Sequence, residues 1–474
     1  VVFWTVPIPF VALVNPPSPG TEVFAREGRC QERLGGKLGA YPPLTLAYVS
    51  SVLRANGVPC AAFDLEADRG GLGRLEAAID EAGRGALVII NTTTPTLASD
   101  MSYAGGLKER HPGSLLVAIG AHVTALPAET LRSFPWLDAA VVGEPEQVVL
   151  DAAASGGPAG VSGMVWRDPS GQPVHGGPRE PVMELDALPF PDWGDLPLDK
   201  YVMPLTGERY VMVQTSRGCP HRCTFCVSRL WYGGKLRQRS AEGILDEMEH
   251  DVAHHGAELL YLFGDTVTQA REQVLQVCRG MVERGLDVKW LCNSRVDSVD
   301  AELLDAMADA GCFAISFGIE SSDPSILGKA RKGASPEQAE RAVTEARDRG
   351  IVTTGFFVFG LPGETEATIE RTIEFASELP LDFAEFYPAL PYPGTELELQ
   401  LFGEKRRDAD WAALEYSTPV RTANGMDPAA LSGACRRGYR RFYSRPGRVW
   451  RLASMVPGPA MLSSGAQFVR GRFL

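Results

Sequence analysis

No run in this chain stays apolar long enough to cross a membrane, which takes about 20 such residues in a helix. Positive charge is also short. Lys and Arg number 46 against 59 Asp and Glu, a net charge of -13, which excludes a nucleic-acid binder driven by overall charge. Cysteine is scarce, nine in 474 residues, and lacks the regular framework of a secreted disulfide scaffold. The clustering of its thiols points instead to a reducing cytoplasm. No GxGxxG follows the first apolar strand, which argues against a dinucleotide. The apolar opening, Val1 to Val14, has neither a basic flank nor a small-residue cleavage site. It therefore reads as a strand rather than a signal peptide. The rest, 45% hydrophobic and 22% charged, is ordinary for a globular protein of two to three domains.

Three of the nine cysteines gather in Cys219-Pro220-His221-Arg222-Cys223-Thr224-Phe225-Cys226, a CxxxCxxC array entered through the strand-like run Tyr210 to Thr215. Soft thiolates at this spacing suit an iron–sulfur cluster or zinc. A closed zinc site needs four ligands, and no fourth cysteine lies nearby. His221 is the available fourth ligand, so a zinc-stapled binding module is the non-enzyme alternative, although a ligand inside the first loop would strain a tetrahedron. Three thiolates would instead hold three irons of a 4Fe–4S cluster and leave the fourth open. The array, with aromatic Phe225 before its last cysteine, resembles the signature of radical S-adenosylmethionine enzymes. The resemblance implies that Cys219, Cys223 and Cys226 ligate the cluster. S-adenosylmethionine (SAM) would chelate the open iron and be cleaved to a radical.

Residues 1–155 alternate strands and helices, from Phe10–Val14 to a helix at Glu146–Ala153, as in a doubly wound parallel sheet. Ligands of such sheets sit beyond the carboxyl ends of the strands. Those ends carry Asn15-Pro16-Pro17, Asn91-Thr92-Thr93-Thr94, Gly120-Ala121-His122-Val123-Thr124 and Gly143-Glu144-Pro145. Small and hydroxylated residues there let backbone approach a large ligand. With Tyr41-Pro42-Pro43-Leu44 and Gly120-Ala121-His122, this half resembles the cobalamin-binding domain that precedes the radical domain in one branch of the family. The resemblance implies contacts from Asn15, Pro16, Thr92, Thr93, Thr94, Gly120, His122, Val123, Gly143 and Glu144. The Asp-x-His-x-x-Gly motif is absent, so cobalt would lack a protein histidine below it. The loop Thr21–Ala40, with Cys30, reads as solvated.

Residues 156–205 are rich in Gly, Pro and Asp and read as a linker with strand-like pieces at Gly163–Arg167 and Pro181–Leu185. From 206 to 400, six strands with five intervening helices suit a partial (β/α)6 barrel, whose active residues belong at the carboxyl ends of the strands. Those ends hold the cysteine loop, Phe263-Gly264-Asp265, Asn293-Ser294-Arg295, Gly318-Ile319-Glu320, Phe359-Gly360-Leu361-Pro362-Gly363-Glu364 and Pro391-Tyr392-Pro393-Gly394. Asp265 and Glu364 have capping of the next helix as an alternative role. The family resemblance implies that Phe225, Gly264, Asp265, Arg295, Glu320 and Gly360 meet SAM, with Arg295 pairing its carboxylate bidentately. Gly264-Asp265 departs from the family's usual Gly-Gly-Glu. Cys278, Cys292 and Cys312 read as buried structural thiols.

Residues 401–474 are expected to be helical, and nine arginines without an acidic residue follow from Arg436 onward. A helix packed on the barrel is expected there, with contact to an anionic membrane as the alternative. Together these resemblances imply an α/β cobalamin-dependent radical SAM enzyme, expected to be a C-methyltransferase of a small molecule. A flavodoxin- or ferredoxin-type protein would supply electrons. The same architecture doing oxidative cyclisation or ring rearrangement is the enzymatic alternative. No residue is assigned as catalytic from sequence.

Overall fold

The computed structural model describes residues 7–20, 23–27, 33–34, 40–83, 85–203, 206–403 and 425–455. Cys30, residues 404–424 and residues 456–474 of the basic segment lie outside these.

The first sheet is built on continuous apolar runs. Its strands are β1 (Val11–Asn15), β2 (Cys60–Asp64), β3 (Leu87–Asn91), β4 (Leu115–Ile119), β5 (Ala139–Val141), β6 (Met164–Arg167) and β7 (Pro173–His175), in the order β2-β1-β3-β4-β5-β6-β7. The first five run parallel. β1 and β3 are buried along their whole length, as strands covered on both faces must be. Helices Leu44–Ala55 and Glu146–Ser155 cover one face through Leu44, Val49, Leu53, Val148 and Val149. Helices Leu72–Ala82 and Leu97–Arg110 cover the other through Leu75, Ile79, Met101 and Leu107.

Two expectations change here. The strand-like piece near Gly163–Arg167 is not a free linker hairpin: β6 and β7 pair antiparallel onto β5 and extend the first sheet. Pro181–Leu185 forms no strand; only a short 3-10 turn, Leu185–Ala187, begins there. The loop after β4 also coils into two short helices, Ala121–Ala125 and Pro127–Ser133. Segments of five and seven residues are too short to show a helical period.

The second sheet has six parallel strands in chain order: β8 (Tyr210–Gln214), β9 (Leu259–Phe263), β10 (Lys289–Arg295), β11 (Cys312–Glu320), β12 (Val352–Phe359) and β13 (Phe383–Pro388). β8 and β13 do not pair, so the barrel is open. Cys278, Cys292 and Cys312 are buried in it. Helix Pro428–Tyr443 packs outside β13, where Tyr439 Oη donates to Glu385 Oε2 at 2.6 Å. Its Arg437 and Arg441 pair with Glu370 and Glu374 of the barrel helix Glu366–Glu378.

One apolar core spans both sheets, running from Leu44 and Leu53 through Trp193 and Tyr201 to Val211 and Ile244. Polar links follow the same route. Tyr201 Oη donates to Asp64 Oδ2 at 2.8 Å, and Ser50 Oγ to Asp192 Oδ2 at 2.8 Å.

Candidate active site

After β8 the chain makes a two-residue antiparallel pairing, Ser216–Arg217 with Arg237–Gln238, and then turns at Gly218. This turn needs glycine: φ is +88°, and a Cβ would meet the Lys235 carbonyl oxygen at 2.2 Å. The Gly218 N–H donates to Asp265 Oδ2 at 3.0 Å. Asp265 therefore secures the entry to the cysteine loop and caps no helix. The loop is then tied across the barrel mouth: Thr224 N–H donates to the Ala330 carbonyl, and Leu397 N–H to the Thr224 carbonyl. The short helix Ser228–Tyr232 closes it.

Cys219, Cys223 and Cys226 line a cavity of about 210 Å³ at the carboxyl ends of the second sheet, each thiol partly exposed. Burial pushes the Cys223 thiol up to about 11. Among the described residues, the His, Cys, Asp and Glu trio whose ligating atoms all lie within 4.8 Å of one another is elsewhere, at His250, Asp251 and His255. A closed zinc site would need a fourth ligand beside the three thiols. His221 lines the same cavity, with its Nε2 held to Gln269 Oε1 at 2.8 Å. Three thiols around an open cavity fit a cluster with one uncommitted iron.

The cavity wall brings some expected residues together. Phe225, Arg295 and Glu320 line it; Gly264, Asp265 and Gly360 are not among its lining residues. Glu320 follows a β-bulge in β11 and holds φ +70°, a strained value for a residue with a side chain. Its carboxylate accepts from Lys332 Nζ at 2.6 Å, and both side chains are buried. Sequence reading missed Lys332. It lies 12 residues beyond Glu320 in a loop, and no local pattern marks it.

Two expected roles change. Arg295 already spends Nε and Nη2 on the Asp297 carboxylate, at 2.8 and 2.7 Å, so its bidentate grip is taken within the chain. Glu364 caps no helix: Thr365 does, and Glu364 Oε2 instead accepts from the Gly360 and Leu361 N–H groups. Burial pushes the Glu364 carboxyl up to about 7. Thr266, Asn293, Ser294 and Ser316 add hydroxyl and amide groups to the wall, and Phe356, Tyr387 and Tyr392 add aromatic surface.

At the carboxyl ends of the first sheet the polar side chains are largely satisfied internally. Asn15 Nδ2 donates to Asp64, Thr93 bonds Thr96, and His122 Nδ1 lies 3.2 Å from Thr94 Oγ1. Burial pushes His122 down to about 3, so its imidazole is neutral. Pro16, Thr92 and Val123 are buried, and Gly143 N–H donates to Thr124 Oγ1. A ligand on this edge would meet backbone and apolar surface rather than free polar groups.

The two edges face each other. Trp231 and Tyr232, just after the cysteine loop, pack on Ala121 in the turn after β4. Arg217, just before the loop, pairs with Glu144 at 2.9 Å and Glu146 at 2.5 Å across the divide, and Arg237 reaches Glu144 at 2.6 Å. Glu144, expected beside a cofactor, is therefore a joint between the sheets.

The family model described as the radical SAM superfamily matches residues 213–376. An uncharacterized methyltransferase of Pyrococcus horikoshii is 32% identical over 424 residues, covering 88% of this chain and 90% of its own length. An anaerobic magnesium-protoporphyrin IX monomethyl ester cyclase of Rubrivivax gelatinosus is 30% identical over 420 residues, covering 85% and 74%. Among solved structures, the radical SAM methyltransferase TsrM of Kitasatospora setae, with cobalamin and a 4Fe–4S cluster bound, shares the fold. Its TM-score is 0.66 at 20% identity, over 96% of this chain and 92% of that one.

Proposed function

The chain belongs to the cobalamin-dependent radical SAM enzymes, and from that premise we propose that it is a C-methyltransferase of a small molecule. When bound, the cluster and SAM supply one-electron cleavage to a hydrogen-abstracting radical, and cobalamin supplies the methyl group. Cys219, Cys223 and Cys226 would hold the cluster. Gly218, pinned by Asp265, sets the loop's entry angle. The buried Lys332–Glu320 pair and the Arg295–Asp297 pair place fixed charge on the cavity wall, where SAM would present an amino group and a carboxylate. Phe225, Phe356, Tyr387 and Tyr392 offer apolar surface to a nucleoside and exclude water. The turn Gly120–His122 would offer backbone to cobalamin.

The observation that carries this reading is the facing of the two strand edges, the thiol loop on one and the Gly120 turn on the other. A substrate between them would reach both. The likeness to the cyclase favours a second reading, a radical oxidation without methyl transfer.

One experiment separates them. Oxygen-free protein loaded with iron, sulfide and cobalamin is given SAM and a strong reductant. Formation of 5′-deoxyadenosine together with S-adenosylhomocysteine supports methyl transfer; 5′-deoxyadenosine alone supports the second reading. Cys223→Ala is expected to abolish both products. If loaded parent protein never cleaves SAM, neither reading stands.

A further inference from the structure

We propose that the last turn of helix Ala241–His255 is a binding site for a divalent transition-metal ion of the zinc class, ligated by His250, Asp251 and His255. The site lies at the opposite end of the barrel from the thiols, because the helix ends just before the start of β9.

Each of the three residues offers a ligand atom, and these atoms all lie within 4.8 Å of one another. Asp251 Oδ1 is 3.6 Å from His250 Nδ1 and 3.9 Å from His255 Nε2. Both distances are too long for a hydrogen bond. They are slightly wider than the about 3.3 Å separating two ligands of one tetrahedral ion. Asp251 and His255 stand one turn apart on the same helix face, so the backbone presets their approach.

A second, independent observation points to a cation. The Asp251 side chain is fully buried, and neither of its oxygens has a hydrogen-bond partner among the described residues; nor has His250 Nδ1. One turn earlier, Glu247 is also fully buried, with Oε1 unpartnered. Arg239 is the cation paired there, and it is shared with Asp186. Two buried carboxylates against one divided guanidinium leave surplus negative charge, and buried charge is normally paired or bound to metal.

The donor set selects the ion. Two imidazoles and one carboxylate suit Zn²⁺, Co²⁺ or Ni²⁺, whereas Ca²⁺ and Mg²⁺ want oxygen throughout. Three protein ligands leave a fourth position for water. Phe190, from the segment between the sheets, packs on the His250 ring at 5.6 Å. An ion here would fasten the helix to that segment, away from the chemistry.

The test uses anaerobic cluster-loaded protein dialysed against ZnCl₂, then metal analysis and zinc X-ray absorption. One zinc per chain beyond the iron is expected, with nitrogen and oxygen ligands only. Asp251→Asn and His255→Gln should each weaken zinc binding at least about tenfold while iron content and SAM cleavage stay unchanged. The half-buried His255 keeps the test usable if Asp251→Asn does not fold. No bound zinc, zinc with sulfur ligands, or unchanged affinity in folded variants would overturn the site.

Discussion

Replacing Arg217 with methionine tests the joint between the two sheets. The side chain is 1% exposed, and its partners Glu144 and Glu146 are 6% and 2% exposed. Glu144 keeps Arg237 in the variant. Glu146 is left buried, and its other oxygen already lacks a hydrogen-bond partner among the described residues. Removing one member of a buried pair costs about 3–5 kcal/mol. The guanidinium also lies 5.3 Å from the Tyr48 ring centre and 5.2 Å from that of Tyr232. Those contacts add about 0.5–1 kcal/mol each. A loss of about 4–7 kcal/mol is therefore expected, read as the change in urea-unfolding free energy of cluster-loaded protein. Because the cost comes from a stranded carboxylate, Arg217→Met with Glu146→Gln should recover roughly half of it. A single variant within about 1 kcal/mol of the parent, or no recovery in the double variant, would refute the reasoning.

Lys332→Met removes the cation beside Glu320 on the cavity wall; SAM cleavage is expected to fall at least about tenfold with iron content unchanged, and undiminished cleavage would take the pair out of the ligand site. Glu364 carries a pH signature. Its carboxyl sits at about 7 in the folded chain against an ordinary 4.5. The folded protein thus holds a proton that the unfolded chain releases between those values. Its contribution to stability is complete below 4.5, declines as pH rises to 7 and is flat above. Glu364→Gln should flatten that decline and be relatively more stable at pH 8; parallel melting curves across the window would exclude the effect.

The thiol loop was legible because its chemistry is contiguous. Three sulfurs within one turn of chain must be written at fixed spacing, and the resemblance rests on those letters. The buried strands were legible for a similar reason, since β3 and β9 are unbroken apolar runs. The residues that complete the site were not. Lys332 meets Glu320 only because a bulge redirects β11. Asp297 takes the Arg295 fork only in the folded loop. The short helix carrying His122 is below the length at which periodicity shows.

By itself, then, the sequence determined the alternation of strand and helix, the two parallel sheets and the thiol trio, because each depends on neighbours in the chain. Tertiary structure alone decided which edges face one another and which charges are spent holding them. Arg217 is separated from Glu146 by 71 residues, and β6 and β7 reach the first sheet from what read as a linker. Such pairings follow from packing two sheets around one core, and they leave no periodic trace in the chain.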